Sequence, residues 1–478
     1  MSSTSSFLHH TTSTIWHGGY LMLDHTFHVP LDWYTYIHDP THYTDAYIHI
    51  FIRELQLNTN TTQSKALMYL QGGPGFPSPR PTAPPSGWMK SALNKGYRLL
   101  LLDQRGTGRS TAMTIQRLKQ LADEGGVEKQ AHYLRHMRSD AIAHDIEAIR
   151  KELCGPMNKI SLLGQSFGGF CMLSYLSQYP FGAETCLFTC GLAPVTKSIR
   201  EVYIATYRRM LVRSRRFYAR YPEDISRIRA VVAHLYSREQ AGDPVVLLDG
   251  GRLTVRRFQQ LGLLLGSGAG MEAMHWLMED PFHSAPGTSG LEELSESFLA
   301  SVMQHQSGFE SSPIYWLMHE SIYMNGAGTA SEWTAETVIK EAEFADAFDA
   351  VKALQNDDQP INFTGEMVFS WMSEDYARLA PLKDVANILA NERWERPLYD
   401  LSSLINVARD VSCAALVSYD DVFVEREFSE ATADLLGGSD LCRMWVTNEF
   451  QHSGVRDDPC RVFDTLYKMA KNELSIPS

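Results

Sequence analysis

KISLLGQSFGGFCMLSYLSQYP, residues 159 to 180, is the stretch on which the fold turns. Its first six residues, KISLLG (159 to 164), are a continuous apolar run of the kind that forms a strand covered on both faces. A helical pattern begins near Gly169. Between them Gly164, Ser166 and Gly168 spell G-x-S-x-G. A strand-to-helix turn this tight forces its central residue into a strained backbone conformation, tolerable only if the residues two before and two after lack bulk. It also projects the serine hydroxyl at the helix N-terminus. Five-position strings occur by accident, and a serine here can simply cap a helix. Because strand, turn and helix are all present, Ser166 is read as a nucleophile.

Outward from this turn the same alternation continues. AYIHIFIREL (46 to 55) alternates as a strand wet on one face, while KALMYL (65 to 70), YRLLLLD (97 to 103) and CLFTC (186 to 190) are continuous apolar runs. Such runs predict a mostly parallel sheet buried on both faces. DAIAHDIEAIRKEL (140 to 153) places Ile142, Ile146, Ile149 and Leu153 on one stripe, a helix packed on that sheet. From about Lys197 to Asn406 the pattern becomes helical, with Trp276, Trp316, Trp333 and Trp371 scattered through it. Strand signals return at CAALVSY (413 to 419) and LCRMWVTN (441 to 448), followed by an amphipathic end, RVFDTLYKMAKNEL (461 to 474). The expected architecture is one α/β domain split in sequence, 1–196 and 407–478, carrying a helical cap domain over 197–406.

At 478 residues the chain exceeds the length at which one core usually stops growing, which agrees with an insertion. With 44% hydrophobic and 21% charged residues it has the composition of a soluble globular protein. A formal net charge of -13 repels both a phosphate backbone and an anionic lipid surface, so neither nucleic acid nor membrane is expected as a partner. YRRMLVRSRRFYAR (207 to 220) interleaves six arginines with aromatics but has helical spacing, and is read as a solvated helix face rather than an RNA-binding arm. The first basic residue is Arg53, so the opening lacks the charged region of a secretory signal, and no apolar run approaches the roughly 20 residues of a spanning helix. The seven cysteines are odd in number and mostly inside apolar runs, which fits a reduced, cytoplasmic setting.

A serine hydroxyl needs a base, usually a histidine oriented by a carboxylate. In the α/β-hydrolase order, serine precedes acid and acid precedes histidine. Of 17 histidines, His452 in WVTNEFQHSG lies beyond the last candidate acid strand. CAALVSYDDVF offers Asp421 as the acid, with Asp420 in reserve. The oxyanion donors are expected to be the N–H of Phe167, which follows the nucleophile, and of Gly73 in YLQGGPGF (69 to 76). DQRGTGRS (103 to 110) resembles a phosphate loop but lacks the Gly-Lys-Ser/Thr ending. It is read as a sharp structural turn in which Asp103 and Arg105 are held by hydrogen bonds. No H-E-x-x-H, paired C-x-x-C or calcium-loop string appears, so neither metal nor cofactor is called for.

In order along the chain, GGPG followed by PRP, LLLDQRGTGRST, LLGQSFGG with CGLAPV, FTGEM, YDDVFV and WVTNEFQHSG resemble the proline iminopeptidases of peptidase family S33. The likeness spans residues 65 to 455 and is strongest to the long-capped members. Gln71 and Cys190 depart from the usual HGGPG and TGGLAP. The resemblance implies an α/β-hydrolase fold and a serine aminopeptidase that releases N-terminal proline from peptides or amides without a cofactor. By the same resemblance Glu320 in LMHESIY and Glu366 in INFTGEMVFSW are the cap glutamates that bind the substrate's amine. Each lies in an apolar, aromatic-rich segment, where a carboxylate is costly unless it meets a cation. The rival reading keeps the triad and makes the enzyme an esterase or amidase of a small-molecule metabolite. An epoxide hydrolase would carry a carboxylate at position 166, and a non-catalytic binding protein would have lost part of the triad.

Overall fold

The computed structural model describes residues 9–57, 65–283, 293–356, 359–407, 410–438 and 441–474. Nine strands form one sheet: β1 (His9–Trp16), β2 (Tyr20–Pro30), β3 (Tyr47–Leu57), β4 (Ala66–Leu70), β5 (Arg98–Asp103), β6 (Ile160–Gln165), β7 (Ala183–Thr189), β10 (Ser412–Ser418) and β11 (Cys442–Thr447). β8 (Phe282–His283) and β9 (Glu293–Leu294) make a separate two-stranded pairing. The spatial order is β1-β2-β3-β5-β4-β6-β7-β10-β11, antiparallel from β1 through the β3–β5 pair and parallel from there on. The apolar runs read from sequence are therefore the central parallel strands.

Alternation along these strands feeds two cores. Met68 and Leu70, with Leu100 and Leu102, face one side, where α4 (Ser139–Cys154) and α5 (Phe167–Gln178) pack. Leu67, Tyr69, Leu99 and Leu101 face the other and meet Trp88 and Met89 of α2 (Gly87–Asn94) and Val462, Phe463 and Leu466 of the final helix, Pro459–Ala470. Both faces are thus dry, as continuous apolar strands require. The first core runs on without a break into the helical region.

Two features differ from the sequence reading. β1 and β2 were not read as strands: HHTTSTIW of β1 is polar and forms the outer edge, while β2 buries apolar side chains only towards its end, at Phe27 and Val29. The arginine-rich helix α6 (Ile199–Arg220) is also less solvated than expected. Arg208 pairs with Glu343 at 2.6 Å, Arg209 with Glu425 at 2.5 Å, and the buried Arg213 donates to Leu265 O at 2.8 Å. The turn after β5 is structural as expected: Arg105 forms a two-point ion pair with Asp145 at 2.8 and 2.7 Å, and Asp103 accepts from Ser78 N at 3.0 Å and from Arg80 at 2.9 and 2.6 Å.

The chain leaves the sheet after β7 and returns to it at β10, which pairs directly with β7. Between the two, the described residues form helices and turns apart from β8 and β9. Among the described residues no helix is long and apolar enough to cross a membrane.

Candidate active site

Ser166 closes β6 with φ 53° and ψ -125°, a left-handed conformation that costs a non-glycine residue energy and persists only where the surroundings enforce it. Its N–H donates to Thr189 O of β7 at 2.9 Å, and its carbonyl accepts from Gly169 N at 2.7 Å. A Cβ on Gly164 would stand 2.6 Å from Met172 Sδ, and one on Gly168 would stand 2.0 Å from Leu70 O. Glycine at both positions lets α5 seat itself against the end of β4.

His452 Nε2 lies 2.9 Å from Ser166 Oγ, and its Nδ1 lies 2.8 and 3.1 Å from the two oxygens of Asp421. All three side chains are buried. The N–H groups of Phe423 and Val424 donate to Asp421 Oδ1 at 2.9 and 3.0 Å, which aims the other oxygen at the imidazole. The histidine's own backbone is tied to both halves of the molecule: Gln165 Nε2 donates to His452 O at 2.9 Å, and His452 N donates to Gly266 O at 3.0 Å. The edge of Phe423 packs on the imidazole at 4.9 Å.

Asp420, the reserve acid, points elsewhere. It accepts from Asn448 Nδ2 at 2.8 Å and pairs with Arg216 and, at 3.5 Å, Arg209. Burial opposes its ionisation, but these donors and cations outweigh it and hold the carboxyl below its ordinary range. Of the two adjacent aspartates, Asp421, the one preferred from sequence, is the one that faces the imidazole.

Gly73 lines the cavity in front of Ser166, and Phe167 begins α5. Neither amide donates a hydrogen bond to a described residue. A Cβ on Gly72 would lie 3.0 Å from Ser166 Cβ, so this loop and the nucleophile are in contact. Gln71 turns away: Tyr69 Oη donates to its Oε1 at 2.7 Å, and Gln104 Nε2 donates to its carbonyl at 3.2 Å. Cys190 sits behind the histidine loop, its thiol donating to Gln451 O at 3.4 Å and raised in pKa by burial.

The cavity measures about 220 Å³. Glu366 is the one carboxylate among the described residues that line it, facing a chamber shared with Ser166, His452, Phe309, Tyr315 and Arg456. Tyr315 Oη donates to Glu366 Oε1 at 2.6 Å, yet burial dominates and pushes the carboxyl up to about 7. Glu320 does not share this chamber. Its Oε1 accepts from Ala335 N at 3.0 Å, and it lines a separate small cavity with Trp316, Ser331 and Trp333, where burial likewise pushes it up to about 7. The two glutamates expected to share one amine thus line different cavities, and only Glu366 lines the one that holds Ser166. Their apolar surroundings look alike in sequence, and only the packing of the helices around them sets which way each points. Tyr315 and Arg456 escaped the sequence reading, although Arg456 stands four residues after His452, close enough to have been considered.

A serine held by an imidazole that is itself held by a carboxylate is equipped for acyl transfer. Comparison with known proteins agrees. The model of the alpha/beta hydrolase fold matches residues 65–235. The chain is 41% identical over 406 residues to a proline iminopeptidase of Aeromonas sobria, covering 85% of this chain and 87% of that protein. It is 30% identical over 441 residues to the proline iminopeptidase aneH of Aspergillus aculeatus, covering 89% and 90%. Among solved structures, the proline iminopeptidase of Mycobacterium smegmatis is similar with a TM-score of 0.39 and 12% identity, covering 94% of this chain and 99% of that one.

Proposed function

The chain belongs to the proline iminopeptidases, and from that premise we propose that Ser166, His452 and Asp421 release N-terminal proline from short peptides or amides, with Glu366 receiving the substrate's amine. The observation that carries this assignment is a single chamber in which Ser166, hydrogen-bonded to His452, shares the lining with one half-buried glutamate whose pKa is raised to about 7, while Asp421 holds the histidine from behind.

His452 takes the proton of Ser166 Oγ as the oxygen attacks the prolyl carbonyl. Asp421 holds the imidazole tautomer and stabilises the imidazolium. The amides of Gly73 and Phe167 receive the oxyanion. His452 then gives its proton to the leaving nitrogen, the C–N bond breaks, and a prolyl ester on Ser166 remains. Water, deprotonated by His452, hydrolyses the ester and frees proline. A secondary ammonium brings two N–H donors to Glu366, which supplies the charge its burial leaves uncompensated.

We take residues 1–196 with 407–478 as the catalytic unit and 197–406 as its cap, supported by the direct β7–β10 pairing. Seven free thiols, five of them buried, support a reducing, cytoplasmic setting.

The test compares prolyl arylamide, its N-acetyl derivative and a simple acyl ester. Leaving a buried carboxylate without its cation costs about 3 to 5 kcal/mol, so acetylation is expected to lower kcat/KM by roughly two to four orders of magnitude. Glu366→Gln is expected to slow the free-amine substrate and shrink that gap. Similar rates on blocked and free substrates would replace the aminopeptidase with an esterase or amidase of small molecules.

A further inference from the structure

Helix α3 (Ile115–Arg135) ends beside the loop that precedes β3, away from the residues lining the catalytic cavity. There His132 Nε2 lies 2.8 Å from Asp45 Oδ2. His136, one helical turn on from His132, presents its ring edge-on at 5.1 Å between centroids. One donor atom from each of Asp45, His132 and His136 lies within 4.8 Å of the other two.

We propose that Asp45, His132 and His136 bind a divalent transition-metal ion of the zinc type, which ties the loop before β3 to the end of α3.

His132 lies on the last turn of α3 and His136 caps its C-terminus, and the two rings, four residues apart and in contact, can share one ion. Imidazole with one carboxylate is a donor set suited to zinc, nickel or copper rather than to calcium or magnesium. Ligands about 2.0 to 2.2 Å from a tetrahedral ion stand roughly 3.4 Å apart. Asp45 Oδ2 and His132 Nε2, 2.8 Å apart, already stand closer than that, and a donor of His136 lies within 4.8 Å of both, so side-chain adjustments close the site. His132 and Asp45 are free to make them, with 41% and 30% of their side chains exposed.

An ordinary ion pair would need His132 and Asp45 only. His136 is the feature such a pair leaves unexplained, because no ring nitrogen of this half-buried residue forms a hydrogen bond to a described residue. Asp32 Oδ1 stands 3.9 Å from His136 Nδ1, beyond hydrogen-bond reach, and accepts instead from Tyr34 N at 3.0 Å. Asp45 is 87 residues from His132 in sequence, which is why no metal motif announces the group. The nearby cations are engaged, Arg105 with Asp145 at 2.7 Å and Arg396 with Asp32 at 3.5 Å.

The experiment titrates Zn²⁺ calorimetrically into the full chain after chelator treatment, for wild type, Asp45→Asn and His132→Gln. Both substitutions are at partly exposed side chains, and circular dichroism checks the fold. One Zn²⁺ per chain is expected in the wild type, with affinity reduced at least tenfold in each variant, the smallest effect seen for weakening a metal site. Zn²⁺ should raise Tm in the wild type only, and the metal-free variants should keep wild-type turnover of prolyl arylamide. Equal Zn²⁺ affinity in all three proteins overturns the proposal. So does binding that abolishes turnover and survives Asp45→Asn, which places the ion at the buried Cys190, Asp421 and His452 group instead.

Discussion

Asp420 and Asp421 are neighbours in the chain with opposite duties, and mutation should separate them. Asp421 fixes the tautomer of His452 through contacts of 2.8 and 3.1 Å. Asp421→Asn is therefore expected to lower kcat by about four orders of magnitude, the scale found when a triad acid is neutralised. Asp420→Asn touches only Arg216, Arg209 and Asn448, so its loss should stay below about tenfold; steady-state kinetics on prolyl arylamide decide the order. A second residue-scale prediction concerns proton count. Glu366 must be ionised to hold an ammonium, and burial places its pKa at about 7. His452 must be neutral to act as base. Two groups that must both be deprotonated give log(kcat/KM) a slope approaching two on the acid limb. Glu366→Gln should return the slope to one, as should an acetylated substrate. A slope of one for prolyl arylamide in the wild type would remove Glu366 from amine recognition.

At the scale of the element, the elbow depends on how closely α5 approaches β4. Gly168→Ala puts a methyl group 2.0 Å from Leu70 O, a clash with backbone that neither element can relieve without moving the oxyanion loop. We expect a loss on the order of 3 kcal/mol in denaturant melts together with loss of turnover. Gly96→Ala meets nothing within 4 Å, and its strain at φ +82° should cost only about 1 to 2 kcal/mol with activity intact. The elbow was legible in sequence for the same reason that it is fragile: strand, glycine spacing and helix are all local. The triad could be read by chain order, because β6, β10 and β11 each announce themselves as apolar runs before their loops. The β1–β2 ribbon was not read, since the outer strand β1 is polar and β2 buries only the end of its run, at Phe27 and Val29. The partners of the α6 arginines also escaped, because spacing defines a charged face but not the acids that meet it, here Glu343, Glu425 and Asp420. That Glu320 lines a cavity apart from Ser166 was hidden for a related reason: burial is written in its neighbours, direction is not.

For the molecule as a whole, buried Glu320 and half-buried Glu366 make stability and ligand binding depend on pH in different ways. Each has a pKa near 4.5 when exposed and about 7 when folded. The folded form therefore keeps a proton that the unfolded chain has already released, and ΔG of unfolding falls as pH rises from about 4.5 to about 7. This contribution is fully present below the lower value and gone above the upper one. A shift of this size is worth on the order of 3 kcal/mol per group. Glu320→Gln and Glu366→Gln should each flatten the fall in Tm between pH 5 and 8 relative to the wild type. A cationic ligand breaks the equivalence. In a Ser166→Ala background, which prevents turnover, prolinamide should raise Tm more at pH 8, where Glu366 is ionised, than at pH 5.5, where binding must first expel its proton. Adding Glu366→Gln should erase that difference. Adding Glu320→Gln should leave it intact, because Glu320 accepts from Ala335 N in a chamber of its own. If Glu320→Gln erases the prolinamide effect as well, the two glutamates act on one amine and the assignment to Glu366 alone is wrong.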